Sequence, residues 1–225
     1  MLQVAYNPVW FYGVDIVFDV VSALVLVLLS FSALRYYRLS GNYRHRRLAL
    51  GFGVIAAGFL AKIFRNFIFY SSSDPSFITL IDIQLSAMFV TSVLIISRLF
   101  VVFGLFSIYS LYYPSPLSTN YLVAFLLVCS TALSMSTYYV FHLTSLLLLF
   151  FIAHHFYKRY EQKAVSHRLW LAGAFLWLSV SQLLFIFIQF SGWFYVFGEV
   201  AQLLGYASLL VVFILVRSRG KKKSS

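Results

Sequence analysis

Six acidic side chains occur in this 225-residue chain, and four of them fall inside apolar runs, where an ionised group is costly unless it pairs or meets water. Asp15 and Asp19 stand four residues apart, which puts both on one face of a helix. Asp82 and Glu199 lie near the starts of two later runs, while Lys62 and Arg65, with Asn66 beside them, are the basic residues expected at the same depth. Glu199, Gln202 and Tyr206 share a helical face of their own, and Gln182 and Gln189 stand two turns apart. Gly198, Ala201, Gly205 and Ser208 form a small-residue seam that lets another helix come close.

Turned toward one another, these groups make a mixed-charge cavity roofed by Trp10, Tyr12, Trp193 and Tyr195. The chemistry expected of it is binding: a small polar or zwitterionic ligand, or an ion, held by Asp15, Asp19, Lys62, Arg65, Asn66, Asp82, Gln182, Glu199 and Gln202. Two plainer readings compete, a set of salt bridges that only fixes helix packing, and simple exposure of Asp15 and Asp82 at the water boundary. If the charges pair, Lys62 with Glu199 is the first expectation, because both lie deepest. Catalysis finds no support, since HExxH, GxSxG and Walker motifs are absent. A metal site needs three or four converging ligands, and His142, His154 and His155 read instead as interfacial histidines, so no cofactor is implied. The last run carries neither the lysine of a retinal Schiff base nor the histidines of the adiponectin-receptor-like zinc hydrolases, and there is no DRY or NPxxY.

What must position these groups is a set of membrane spans. With 62% hydrophobic and only 10% charged residues, the chain cannot hide its apolar surface in a soluble particle. A span needs roughly 20 apolar residues, and seven fit, at 11–34, 48–70, 78–98, 119–136, 138–157, 168–190 and 193–216. The first run holds two aspartates and no basic leader, so it reads as a span rather than a signal peptide. The apolar stretch 99–113 is either a continuation of the third helix or a helix in the inner interface, ended by Pro114 and Pro116. Expected, then, is an all-α membrane protein, a bundle of seven transmembrane helices forming one domain over 1–216, with a basic cytoplasmic tail over 217–225.

Positive charge orients it. Arg35, Arg38, Arg44, Arg46 and Arg47 follow the first run; Lys158, Arg159, Lys163 and Arg168 follow the fifth; Arg217, Arg219, Lys221, Lys222 and Lys223 follow the seventh. These segments share a side only for an odd number of spans, which places the N-terminus out and the C-terminus in, in a cell membrane. The net charge of +11 then faces anionic lipid headgroups rather than nucleic acid. Arg44, Arg46, Arg47, Lys158, Arg159, Lys163 and Arg168 are the expected contacts for such lipids or for an acidic partner. Cys129, the only cysteine, lies in a span, which excludes disulfides.

One shift of the chain brings Tyr36 onto Tyr157, Arg38 onto Arg159, Arg47 onto Arg168, Leu48 onto Leu169 and Leu50 onto Leu171, and a slightly shorter shift brings Asp82 onto Glu199. A 3+1+3 parallel repeat, as in sugar-transporting SWEET proteins, is one reading. Chance alignment of leucine-rich spans joined by basic loops is the other. The stretch ALRYYRLSGNYRHRRLALGFGVIAAGFLAKIF resembles uncharacterised seven-span membrane proteins of archaea and bacteria, which look like the membrane sensor regions preceding some histidine kinases. The resemblance implies a receptor or sensor module. Because the sequence ends in RSRGKKKSS with no output domain, its signal would pass through a separate cytoplasmic partner. A small-solute transporter, with Gly58 and Gly205 as candidate helix breaks, and a non-catalytic subunit of a membrane complex are the alternatives.

Overall fold

The computed structural model describes residues 9–11, 13–72, 83–114, 116–133, 138–162 and 165–222. Seven α-helices carry nearly all of them: α1 (Val14–Ser40), α2 (Tyr43–Ser72), α3 (Ile83–Tyr112), α4 (Leu117–Leu133), α5 (Tyr139–Gln162), α6 (Ser166–Ile186) and α7 (Gly192–Lys222), with no strand among the described residues. In lipid every backbone N–H and C=O needs a partner within its own segment, so continuous apolar runs become helices. Six of the seven are long and apolar enough to cross a membrane. The exception is α4, whose 17 residues extend about 25 Å at 1.5 Å per residue, at the lower limit of what spans a hydrocarbon core of roughly 30 Å.

Connections are tight. Gly41 ends α1 in the left-handed conformation, φ 64°, and its N–H bonds to Tyr37 O at 2.8 Å. Only Gly41 and Asn42 separate α1 from α2, so the basic residues expected in an inner loop lie instead on helix ends. Likewise α7 continues through Lys222, across the boundary drawn at 217 for a separate tail.

The stretch 99–113 proves to be helix three itself: α3 runs unbroken from Ile83 to Tyr112, and its membrane-crossing window is Phe89–Tyr112. The third span therefore lies further along the chain than 78–98. The span rule was satisfied too early, because the apolar run is longer than one membrane thickness and has no internal boundary.

Each helix packs on its neighbours in chain order, α1 on α2 on α3 and α5 on α6 on α7, and the ring closes where α7 meets α1 and α3 meets α5. The short α4 packs chiefly on α3 and α5, through bonds such as Ser130 Oγ to Thr144 Oγ1 at 2.6 Å, and turns Tyr121, Leu122 and Phe125 outward. Leu26, Ile55, Val102, Ile152, Phe175 and Leu209 form the continuous core between the others.

Glycines set how closely the helices approach. A Cβ on Gly104 would stand 2.7 Å from Gly51 O, and one on Gly58 would stand 2.9 Å from Ser97 O, so α2 and α3 touch backbone to backbone. Gly198 and Gly205 of the predicted seam receive Phe185 and Leu178 of α6. Gly58 and Gly205 are thus packing positions within continuous helices, not breaks.

Candidate functional site

Antiparallel packing brings the N-terminal ends of α1, α5 and α7 and the C-terminal ends of α2 and α6 to one end of the bundle. Between α2, α3, α5, α6 and α7 this half encloses a cavity of about 110 Å³. Its floor is apolar, with Phe59, Leu105, Leu149 and Leu178, and its walls carry Lys62, Arg65, Arg98, His142, Gln182 and Glu199. Glu199, Gln202 and Tyr206 all line it, as their shared helical face requires.

The centre of the charge network is Lys62. Its ammonium donates to Asp19 Oδ1 and to Glu199 Oε1, each at 2.8 Å, and so ties α1, α2 and α7 together. Both carboxylates are wholly buried, at 0% exposure. The expected pair of Lys62 with Glu199 is present, and Asp19 makes it a triad. One ammonium cannot satisfy two carboxylates: Asp19 Oδ2 and Glu199 Oε2 find no partner among the described residues, nor does the nearby buried hydroxyl of Ser22, one turn on from Asp19. Buried polar atoms are seldom left so, because desolvation is not repaid.

A second strand of the network runs from Arg65. Its Nε and Nη2 donate to Asn66 Oδ1 at 3.1 and 2.7 Å, and Asn66 Nδ2 reaches Asp15 Oδ2 at 3.4 Å. Asp15 also accepts from Tyr195 OH at 3.3 Å. Its Oδ1 accepts the N–H groups of Gly13 and Ile16 at the start of α1, where helix N–H groups lack intrahelical partners and a negative charge is favoured. Asp15 is fully buried, which overturns the reading that it sits exposed at the boundary.

Above the network lies the expected aromatic roof. Trp10, in a 3₁₀ turn at Val9–Phe11, stands 5.8 Å from Trp193, and Phe11 and Phe185 flank Tyr195 at 6.0 and 5.9 Å between ring centres. Tyr12 and Asp82 fall outside the described residues. Gln189 lies beyond the end of α6 and is exposed, so it leaves the stripe expected with Gln182.

Two cavity residues were missed. Arg98 is buried, with its guanidinium 5.2 Å from the Phe141 ring centre. A third span ended at residue 98 puts it at a membrane boundary; in a helix reaching Tyr112 it stands at the middle. His142 is not interfacial, as read above, but buried, and its Nδ1 donates to Gln182 Oε1 at 2.9 Å. The available signal was Gln182 itself, a buried amide needing a partner on an adjacent helix.

At the opposite end Arg44, Arg46, Arg47, Lys158 and Arg159 are exposed. Arg168 is instead a cap, its Nη1 donating to Arg159 O in the last turn of α5 at 2.8 Å. Lys163 lies outside the described residues.

No protein-family model, curated protein or solved structure matches this chain. A membrane-embedded helical bundle with a buried, mixed-charge cavity at one end is what its own residues establish.

Proposed function

We propose that the chain is a receptor- or sensor-like protein of a cell membrane, crossing it seven times with its N-terminus outside and its C-terminus inside. Its cavity opens outward and takes a small polar or charged ligand, and the signal leaves through a separate cytoplasmic or membrane partner. The observation that carries this reading is the incomplete triad. A network serving only to lock helices would be stable when fully satisfied, yet Asp19 and Glu199 each keep an oxygen with no partner among the described residues, and Glu199 faces the cavity. Charge inside a membrane bundle is a functional signal by default. The basic ends of α1, α2 and α5 at the opposite end of the bundle support the orientation.

A second reading, a small-solute transporter, draws on the packing order. Helices α1–α3 and α5–α7 form two consecutive sets joined by a peripheral α4, the arrangement a 3+1+3 repeat would have. Against it, α2 and α7 run unbroken past the cavity, where the broken helices of many transporters would be.

Thiol labelling in intact cells tests both. In a Cys129→Ser background, Gln202→Cys should react with a small impermeant methanethiosulfonate added outside, while Asn42→Cys should react only from the inner side. Labelling of Asn42→Cys from outside would reverse the orientation. Reaction of Gln202→Cys from the inner side alone would end the outward-cavity reading, and reaction from both sides in turn would favour alternating access.

A further inference from the structure

The other end of the bundle holds a larger concavity, about 550 Å³, where the start of α2 meets the ends of α3 and α5. Three guanidiniums converge on it. Arg44 and Arg47 lie one turn apart on α2, and Arg159 comes from the last turn of α5 across Tyr112 of α3. None of the three makes an ion pair among the described residues, and all three side chains are exposed. Tyr43 adds a hydroxyl to the same wall, while the Ser110 hydroxyl there already donates to Ser107 O at 3.1 Å. The backbone at the start of α2 is already occupied, since Arg44 N bonds to Asn42 Oδ1 and His45 N to Asn42 O, each at 3.0 Å. The donors on offer are therefore side chains, arranged for a multiply bonded oxyanion rather than a point charge.

We propose that this groove binds the phosphate of an anionic phospholipid in the leaflet that faces it. Position selects a lipid over a soluble phosphate. Leu50 lies one turn from Arg47 along α2, and Phe103 lies two turns from Leu111 along α3. Both are exposed, so an apolar track descends from the groove along the lipid-facing surface, where acyl chains would lie. A headgroup held at the guanidiniums and chains held on this track fit one molecule. The site does not depend on whether the cavity at the far end binds a ligand.

Purified full-length protein in neutral detergent, measured by native mass spectrometry and thermal melting, tests the proposal. The probes are phosphatidylglycerol, phosphatidylcholine and glycerol 3-phosphate. Phosphatidylglycerol should be retained in preference to phosphatidylcholine, and retention should fall at least about tenfold in the triple variant Arg44→Gln, Arg47→Gln, Arg159→Gln. A triple variant of equal charge away from the groove, Arg35→Gln, Arg38→Gln, Lys158→Gln, should change retention less than about twofold. Arg47→Lys keeps the charge but loses the forked geometry, and should fall between wild type and the groove triple. It also serves should the groove triple fail to fold. Equal losses in both triples would reduce the groove to diffuse surface charge and overturn the proposal. So would displacement of the lipid by glycerol 3-phosphate at matched concentration, which would assign the groove to a soluble phosphate.

Discussion

The two ends of the bundle handle the same kind of charge in opposite ways. At the cavity end Lys62, Asp15, Asp19 and Glu199 are held between helices, each within reach of an opposite charge or a hydrogen-bonding group. At the basic end Arg44, Arg46, Arg47 and Arg159 stand exposed with no carboxylate on them among the described residues. Dielectric is the reason. An ion withdrawn from water loses several kcal/mol, about, of hydration and must recover it locally, whereas an exposed guanidinium keeps its water. Partner removal should therefore be severe at one end and nearly silent at the other. Helices α2, α3 and α5 contribute to both regions, so the contrast can be measured within single elements.

The largest effect should come from Lys62→Met, which strands two buried carboxylates. A loss of about 3–5 kcal/mol is expected in reversible unfolding with mixed detergents. Adding Glu199→Gln should restore part of it, since the second change removes one stranded charge. A loss below about 1 kcal/mol would mean that the triad is wet, and the contrast between the ends would collapse.

Next in size is the neutral pair. Gln182→Leu alone leaves the His142 N–H buried without its acceptor and should cost about 1–3 kcal/mol by the same unfolding measurement. Replacing both partners, His142→Phe with Gln182→Leu, should recover part of that loss, because the buried imidazole N–H and its amide acceptor are then removed together. Additive losses would place His142 in contact with water and return it to the interfacial role first read for it.

Arg168→Gln should cost less, about 0.3–1 kcal/mol, as the last turn of α5 loses a cationic cap, and amide exchange in that turn should quicken. Protection unchanged over the final turn would show that the Arg168 bond to Arg159 O carries no weight. Smallest of all, Arg44→Gln should stay within about 0.5 kcal/mol of wild type in unfolding, whatever it does to lipid retention. A loss as large as that of Gln182→Leu would show that the basic end is packed rather than solvated.

Much of this was legible in residues alone. Apolar runs, their turn residues and the spacing of Asp15 with Asp19, or Glu199 with Gln202 and Tyr206, identify helices and the faces they present, because a 3.6-residue period is a local property. Arg98 and His142 were not legible in the same way. Whether a charge within an apolar run is central or peripheral depends on where the helix stops, and α3 stops at Tyr112, well past one membrane thickness. Gln189 failed for the mirror reason, since α6 ends at Ile186 before reaching it.

By itself, then, the sequence determined that this is a helical membrane protein most of whose ionisable groups, though not Arg98, are sorted toward the two ends of its runs. Composition and hydropathy suffice for that, since lipid excludes unpaired backbone and isolated charge wherever they fall. Tertiary structure alone decided who meets whom. That Lys62 takes Asp19 as well as Glu199, that two carboxylate oxygens remain over among the described residues, and that Arg159 joins Arg44 and Arg47 are outcomes of helix rotation and crossing. Those are set by contacts such as Gly104 on Gly51 and Gly205 against Leu178, between residues far apart in the chain, which no local period encodes.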